Sequence, residues 1–170
     1  MSLYESSVPQ LKKMLKNLDA WLSKAETHAS SKSFDVSVLL SARLAPDQYP
    51  LTRQIQAACD AAKFVGARLG AKEAPKNPDT ETTLAELRTR IAGTVSFLDG
   101  ITEKDFAGAE TRMCPLPWMP GKGLTGADYM NELGMPNFYF HVTTAYSIMR
   151  HNGVELGKTD FIGSLNVKDV

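Results

Sequence analysis

The chain has 170 residues, of which 43% are hydrophobic and 22% charged, and its 19 basic and 19 acidic side chains give a formal net charge of zero. This length predicts a single domain over residues 1–170, and the lack of a basic surplus argues against binding to nucleic acid or to an anionic membrane surface. The sequence shows neither a secretory signal nor an apolar segment long enough to span a bilayer, so we expect a cytoplasmic protein.

The first long helix is predicted to start at a capping box in which Ser7 precedes Gln10 by three residues, with the intervening proline in the first turn. Leucines at helical spacing follow, and the apolar stripe ends near residues 25–28. We expect a loop over residues 27–33 and then a short helix that Asp35 caps.

The second long helix opens at Pro50, carries the most regular apolar stripe of the chain and ends at Gly70. A proline-rich linker over residues 74–79 separates it from the third long helix, which is predicted from a capping box at Thr83 to a stop at Gly100. Because neither side of the linker is long enough for a core of its own, we do not expect a domain boundary there.

Helical periodicity disappears over residues 108–126, where prolines and glycines favour a small β-hairpin with strands within 111–116 and 122–125. The fourth long helix is predicted to begin around Met135 and to end at Asn152. The sequence therefore predicts an all-α fold, a four-helix bundle with short extra helices and a β-hairpin insertion near residues 108–126.

Two glycine-containing segments match parts of nucleotide-binding motifs without their structural context. Residues 121–126 fit GxGxxG, but prolines precede them where a dinucleotide site needs the buried strand of a βαβ unit. The Gly-Lys-Thr at 157–159 lacks the first glycine of a Walker A motif and follows a helix. We expect neither segment to bind a nucleotide.

The cysteines and histidines of the chain offer few reactive groups. Cys59 and Cys114 form no CxxC pair and are expected to be reduced thiols. Cys114 with His141 as its base is an alternative nucleophile, although loop thiols are mostly unreactive. His28 lies in a polar stretch and is expected at the surface, and His151 is expected to cap the carbonyls of a helix end.

The polar side chains of the second long helix fall into two groups according to their angle from its apolar stripe. Gln54 lies about 60° from the centre of the stripe and is expected to border the core. Gln56 and Asp60 point to the far side of the helix and are expected to be solvated. Charged side chains of the helices should therefore face outward, so we expect no assured carboxylate in an inward-facing site.

The fourth long helix supplies the other candidate site residues. His141 lies about 60° from the centre of the stripe, with Asn137 one turn before it and Thr144 one turn after it. Tyr146 is a candidate phenol in the same region, although it is first of all a packing residue. Together with Gln54, these side chains predict a polar pocket between the second and fourth long helices.

Several segments carry a resemblance to a known family, and together they cover nearly the whole chain. The most specific is the run PNFYFHVTTAY, and the others lie at residues 44–47, 50–54, 60–63, 67–69 and 150–163. The sequence resembles an uncharacterised bacterial family of unknown function, which is similar to a divergent branch of the DinB/YfiT-like superfamily. The resemblance implies a four-helix bundle, often a homodimer.

The resemblance also implies a metal site in the better-known members, some of which are thiol-dependent transferases or hydrolases. Their divalent metal is held by one histidine from helix two and an HxxxH pair on the last long helix. Here His141 matches the second histidine of the pair, Asn137 stands at the first, and Gln54 stands at the helix-two position. One histidine with two amides is a poor site for Zn²⁺ or Ni²⁺, so we expect no metal, with His141 as the one matching ligand if a metal binds.

Three functional hypotheses remain open from the sequence. The first is a small-molecule pocket formed by Gln54, Asn137, His141, Thr144 and Tyr146. The second is a non-catalytic dimeric scaffold, in which the polar groups bond directly to one another and leave no cavity. The third is a divalent-metal-dependent transferase or hydrolase.

The apolar loop over residues 116–119 is a further candidate feature. It could serve as a pocket lid or as a contact for a partner. Packing in the core would explain Trp118 equally well.

Overall fold

The computed structural model describes residues 2–169, which form four long helices arranged as a bundle. The long helices are α1 (Leu3–Ser31), α3 (Leu51–Leu69), α4 (Leu84–Asp99) and α6 (Met135–His151). The short helices are α2 (Ser37–Leu40), α5 (Gly126–Asp128) and α7 (Lys158–Ile162), and strands β1 (Met113–Pro115) and β2 (Gly123–Thr125) pair antiparallel. A 3-10 turn spans Glu103–Phe106, and a π-helical segment spans Tyr129–Gly134. The predicted bundle with its hairpin insertion is confirmed.

Helix α3 packs against α1, α4 and α6. Its predicted apolar stripe is fully buried and consists of Leu51, Ile55, Ala58, Ala62, Val65 and Leu69. Gly70 ends α3 as predicted, and Thr83 forms the predicted capping box at the start of α4. Within residues 2–169, no helix combines the length and the apolar composition needed to cross a bilayer.

Helix α1 begins earlier than its periodicity predicted. Its capping box is formed by Ser2 and Glu5, whose N–H donates to the Ser2 Oγ at 3.2 Å. The Ser2 N–H donates in return to the Glu5 carboxylate at 2.8 Å. The predicted start at Ser7 is wrong, because the Ser7 hydroxyl lies inside the helix and donates to the Leu3 carbonyl at 2.5 Å.

At its other end α1 continues through the predicted loop to Ser31. Tertiary contacts stabilise the additional turn, because Ala29 is buried and the His28 Nε2 lies 3.1 Å from the Asn152 carbonyl oxygen. His28 is therefore half-buried and partnered, whereas the sequence predicted a surface position.

The linker between α3 and α4 folds back over α3 and covers side chains that were predicted to be solvated. Gln56 is 3% exposed and donates to the Glu81 carboxylate at 2.9 Å, and Asp60 is half-buried. Their angular positions on α3 are as predicted, but helical periodicity cannot report a segment that packs from elsewhere in the chain. The expectation of outward-facing charges is also wrong, since the side chains of Arg90 and Lys63 are 2% and 5% exposed.

From β2 the chain runs through α5 and the π-helical segment into α6 without an intervening loop. A Cβ on Gly126 would lie 1.8 Å from the Ala109 carbonyl oxygen, so the last glycine of the GxGxxG-like segment serves packing. A Cβ on Gly134 would lie 2.6 Å from a methyl group of Val65. The π-helical segment therefore approaches α3 closely and brings the start of α6 beside it.

Candidate functional site

The inward-facing polar residues of α3 and α6 form a direct hydrogen bond. The Nδ1 of His141 lies 2.8 Å from the Oε1 of Gln54, and the Gln54 Nε2 donates to the Tyr49 carbonyl at 3.1 Å. Since Nε2 is the donor of this amide, Oε1 must accept, and His141 must carry its proton on Nδ1. The neutral imidazole therefore presents Nε2 as a hydrogen-bond acceptor.

The surroundings of His141 favour this neutral form. Burial lowers the pKa of the imidazole, and the positive charge of Arg53 lowers it further. The residue is 9% exposed, and the Nε2 of its ring has no hydrogen-bond partner within residues 2–169. His141 is therefore an oriented, uncharged acceptor near neutral pH.

His141 lines an open cavity of about 390 Å³ between α3, the start of α6 and the hairpin loop. The walls combine aromatic rings, two guanidinium groups, an amide and a carboxylate. The rings are those of Tyr49, Phe64, Trp118 and Tyr129, and the polar side chains are those of Arg53, Asp60, Arg68, Asn137 and His141. Trp118 is 61% exposed and lies at the rim, so the alternative of core packing for this residue is wrong.

The structure brings together some of the predicted pocket residues and separates others. Asn137 and His141 both line the cavity, and Gln54 lies behind His141. Thr144 is buried and donates to the Phe140 carbonyl of its own helix at 2.7 Å. Tyr146 packs against other rings of the bundle, Trp21 at 5.4 Å and Phe161 at 5.5 Å between ring centroids. Neither Thr144 nor Tyr146 lines this cavity.

A second stripe on α3 supplies five of the cavity residues that sequence reasoning missed. Its members are three or four positions apart, namely Arg53, Ala57, Asp60, Phe64 and Arg68. The stripe mixes charged, small and aromatic side chains, so a search for apolar periodicity passes over it. Its regular spacing is the signal that could have revealed it.

An ion network joins the back of the cavity to the linker. The Asp60 carboxylate lies 2.7 Å from the Lys63 Nζ and 2.9 Å from the Arg90 guanidinium. Arg90 also binds Asp79 at 2.6 Å and Glu81 at 2.9 Å. The cavity therefore contains a carboxylate, contrary to the prediction, but that carboxylate is already compensated by two cations.

The linker carboxylates are held in their charged forms. Burial alone would raise the pKa of Asp79, but hydrogen bonds from Arg53 and Arg90 outweigh it and lower that pKa. Glu81 behaves in the same way, with Arg90 as its principal donor. Asp79 and Glu81 are therefore charged near neutral pH.

Both cysteines are free thiols, as predicted, and neither is activated. Burial raises the pKa of Cys59 to about 12. Burial also raises the pKa of Cys114, and the nearby Arg68 and Arg112 lower it by less. Since the thiolate is the nucleophile, these environments argue against the alternative in which Cys114 attacks a substrate.

The donor set around His141 does not fit a divalent transition metal. Gln54 is engaged with His141 and with the Tyr49 carbonyl, and Asn137 adds a neutral amide. Zn²⁺ and Ni²⁺ favour imidazole and thiolate, and among residues 2–169 no three His, Cys, Asp or Glu side chains are grouped to hold a metal.

Comparison with known proteins identifies the family. The model of a domain of unknown function, DUF1993, matches residues 3–162. The chain belongs to this family. A crystal structure at 1.83 Å resolution of a DinB family member protein from Shewanella denitrificans is 52% identical, with a TM-score of 0.96 over 99% of this chain and 96% of that one. No curated protein matches.

These comparisons confirm the resemblance of this DUF1993 chain to DinB-like proteins and its helical fold. The homodimer and the cytoplasmic location expected from the sequence stay predictions.

Proposed function

We propose that this DUF1993 protein binds a small molecule in the cavity between α3 and α6, with the His141 Nε2 as a hydrogen-bond acceptor. The observation that carries the proposal is an uncharged imidazole with a fixed tautomer on the wall of a cavity of about 390 Å³. Small-molecule sites are typically concave and aromatic, with a few positioned polar groups.

The scaffold hypothesis accounts for less of this geometry. It requires polar groups that satisfy one another and leave no space, and the Gln54–His141 bond meets the first condition. The cavity does not meet the second, because Asn137 is exposed on its wall and the His141 Nε2 remains an acceptor without a protein donor in the described part of the chain.

Binding is also favoured over acid–base catalysis. When a histidine acts as a general base, the imidazolium that forms is usually stabilised by a carboxylate that accepts a hydrogen bond from the other ring nitrogen. Here that partner is the neutral amide of Gln54, and Arg53 opposes a second positive charge. The site is therefore better suited to accept a hydrogen bond than to hold a proton.

The proposal is tested by NMR on protein labelled with ¹⁵N in its histidine and tryptophan rings. The probes are phenol, benzamide, benzoate and benzylammonium. We expect at least one probe to shift the His141 Nε2 resonance and the Trp118 indole N–H resonance together.

His141→Asn is the decisive variant, because the Asn amide can still donate to Gln54 while Nε2 is deleted. His151→Asn is the matched control, since His151 is exposed at the end of α6. We expect binding to weaken in His141→Asn only. The proposal fails if no probe shifts these resonances or if His141→Asn binds every probe as well as the wild type.

A further inference from the structure

We infer that the ligand carries an anionic group, a carboxylate or a phosphate, that binds the Arg68 guanidinium beside the aromatic wall. The inference rests on the proposed function and adds the chemical class of the ligand. Its basis is the charge balance of the cavity, which leaves Arg68 as the cation without a counterion among residues 2–169.

Arg68 lies against two aromatic rings. Its guanidinium carbon lies 5.1 Å from the Phe64 ring centroid and 4.9 Å from the Tyr129 ring centroid. Contacts of this kind occupy the flat faces of the guanidinium and leave the N–H groups on its edge free to donate. The rings therefore position Arg68, and the guanidinium has five N–H donors, more than its one interaction with the Tyr129 hydroxyl uses.

The other arginines at the cavity and its ion network are paired. Arg53 binds Asp79 at 2.5 Å, and Arg90 binds three carboxylates. Arg68 has no carboxylate within 4.0 Å in residues 2–169, although it is half-buried on the cavity wall. An incompletely solvated cation without a counterion is unfavourable, and a bound anion would relieve that cost.

The Asp60 carboxylate, which lines the cavity, cannot serve as the counterion of Arg68. Asp60 is bound by Lys63 and Arg90, which are nearly inaccessible to solvent. Within residues 2–169, the cavity and its network hold the cations Arg53, Lys63, Arg68 and Arg90 and the anions Asp60, Asp79 and Glu81. A protein of zero net charge thus has a local surplus of one positive charge, and that charge is on Arg68.

The walls specify the rest of the ligand. The rings of Phe64, Tyr129 and Trp118 offer flat apolar surface beside the guanidinium. The His141 Nε2 accepts a hydrogen bond from an O–H or N–H group. A small planar or aromatic acid with such a donor satisfies the anionic, apolar and hydrogen-bonding features together.

The charge requirement is tested by isothermal titration calorimetry with benzoate, phenyl phosphate and benzamide. Benzamide has the shape of benzoate without its charge. We expect at least one anion to bind at least about tenfold more tightly than benzamide, and its affinity to fall as salt is added. Whichever anion binds more tightly distinguishes a carboxylate ligand from a phosphate ligand.

Variants then assign the effect to Arg68. In Arg68→Gln we expect the anion affinity to fall by at least about tenfold and the benzamide affinity to fall by a smaller factor, because benzamide carries no charge. Arg150→Gln is the matched control, because Arg150 is an exposed arginine on α6. Arg68→Lys retains the charge but not the planar fork, and we expect an intermediate affinity.

Two outcomes would overturn the inference. One is equal affinity of benzamide and both anions for the wild type, which would leave the small-molecule proposal standing. The other is no measurable binding of either anion up to about 10 mM, while a neutral or cationic probe still shifts the His141 resonance. If Arg68→Gln does not fold, the wild-type comparison and Arg68→Lys still decide the question. Failure of every probe at His141 rejects the proposed function as well.

Discussion

Gln54 determines which nitrogen of His141 faces the cavity. Its Nε2 donates to the Tyr49 carbonyl, so the end of the amide that faces the ring is Oε1, which can only accept. A carboxylate at position 54 would hold the same ring but would also favour its charged form. The amide leaves the effects of burial and of Arg53 unopposed, so the pKa of His141 stays low.

The lowered pKa predicts a specific loss of stability in mild acid. At pH values well above about 6.5 the imidazole is neutral in both the folded and the unfolded chain, so its protonation costs the folded state nothing. As the pH falls below this value, the unfolded chain binds a proton that the folded chain does not, so the free energy of unfolding decreases down to the folded pKa. Urea unfolding at about pH 7.5 and about pH 5.5 measures this change.

Replacement of the imidazole provides the control. We expect the pH dependence to be smaller in His141→Asn, which cannot titrate, and to be unchanged in His151→Asn. An equal pH dependence in the wild type and His141→Asn would show that His141 does not titrate differently on folding.

At the scale of the elements, the long helices could be predicted because their apolar stripes and caps are local signals. The start of α1 could not, since Ser2 with Glu5 and Ser7 with Gln10 are competing capping boxes, and only packing selects the first. The π-helical segment Tyr129–Gly134 has no distinctive period, yet it carries part of the cavity wall.

The approach of the β2–α5 junction to Ala109 predicts that Gly126→Ala is destabilising. The clash is with a backbone carbonyl oxygen, which cannot rotate away as a side chain could. We expect the free energy of unfolding to decrease by about 1–3 kcal/mol. Gly93→Ala is the control, because its Cβ would meet nothing within 4 Å and should stabilise α4 by about 0.5–1 kcal/mol. Equal changes in the free energy of unfolding for Gly126→Ala and Gly93→Ala, measured with urea, would contradict the predicted clash.

The pairing of α3 with α6 predicts how a metal site could be introduced. Replacing Gln54 and Asn137 with histidine places three imidazoles around the present Gln54–His141 contact, two of them one helical turn apart. We expect the double variant to retain stoichiometric Zn²⁺ or Ni²⁺ after dialysis, measured by elemental analysis, and Asn137→His alone to retain less. Equal retention by the untagged wild type would show that the amide donor set does bind the metal.

At the scale of the whole molecule, the zero net charge hides an uneven distribution. Composition could predict the balance but not that the linker places Asp79 and Glu81 on Arg90. Those contacts join the linker to α4, and Asp60 on α3 binds the same arginine, so no local pattern contains the network. The pocket was predicted from the amides and the imidazole, whereas its charged wall depended on this long-range packing.

The ion network predicts a large difference between two arginines of α4. Arg90→Met leaves three carboxylates without their shared cation, and we expect a loss of about 3 kcal/mol in the free energy of unfolding. Arg88→Met is the matched control, because Arg88 bonds to Asp19 and Glu26 near the surface and should cost about 0–1 kcal/mol. Similar losses in urea unfolding would show that the network has no special structural role.

The positions of the two tryptophans make intrinsic fluorescence a selective reporter. Trp21 is 1% exposed, and its indole donates to the Asp160 carbonyl at 3.0 Å, whereas Trp118 is 61% exposed at the cavity rim. Iodide should quench the emission of Trp118 and leave that of Trp21 unaffected until the chain unfolds. Shielding of Trp118 by a bound molecule would therefore be seen as protection from the quencher, separately from any change in stability.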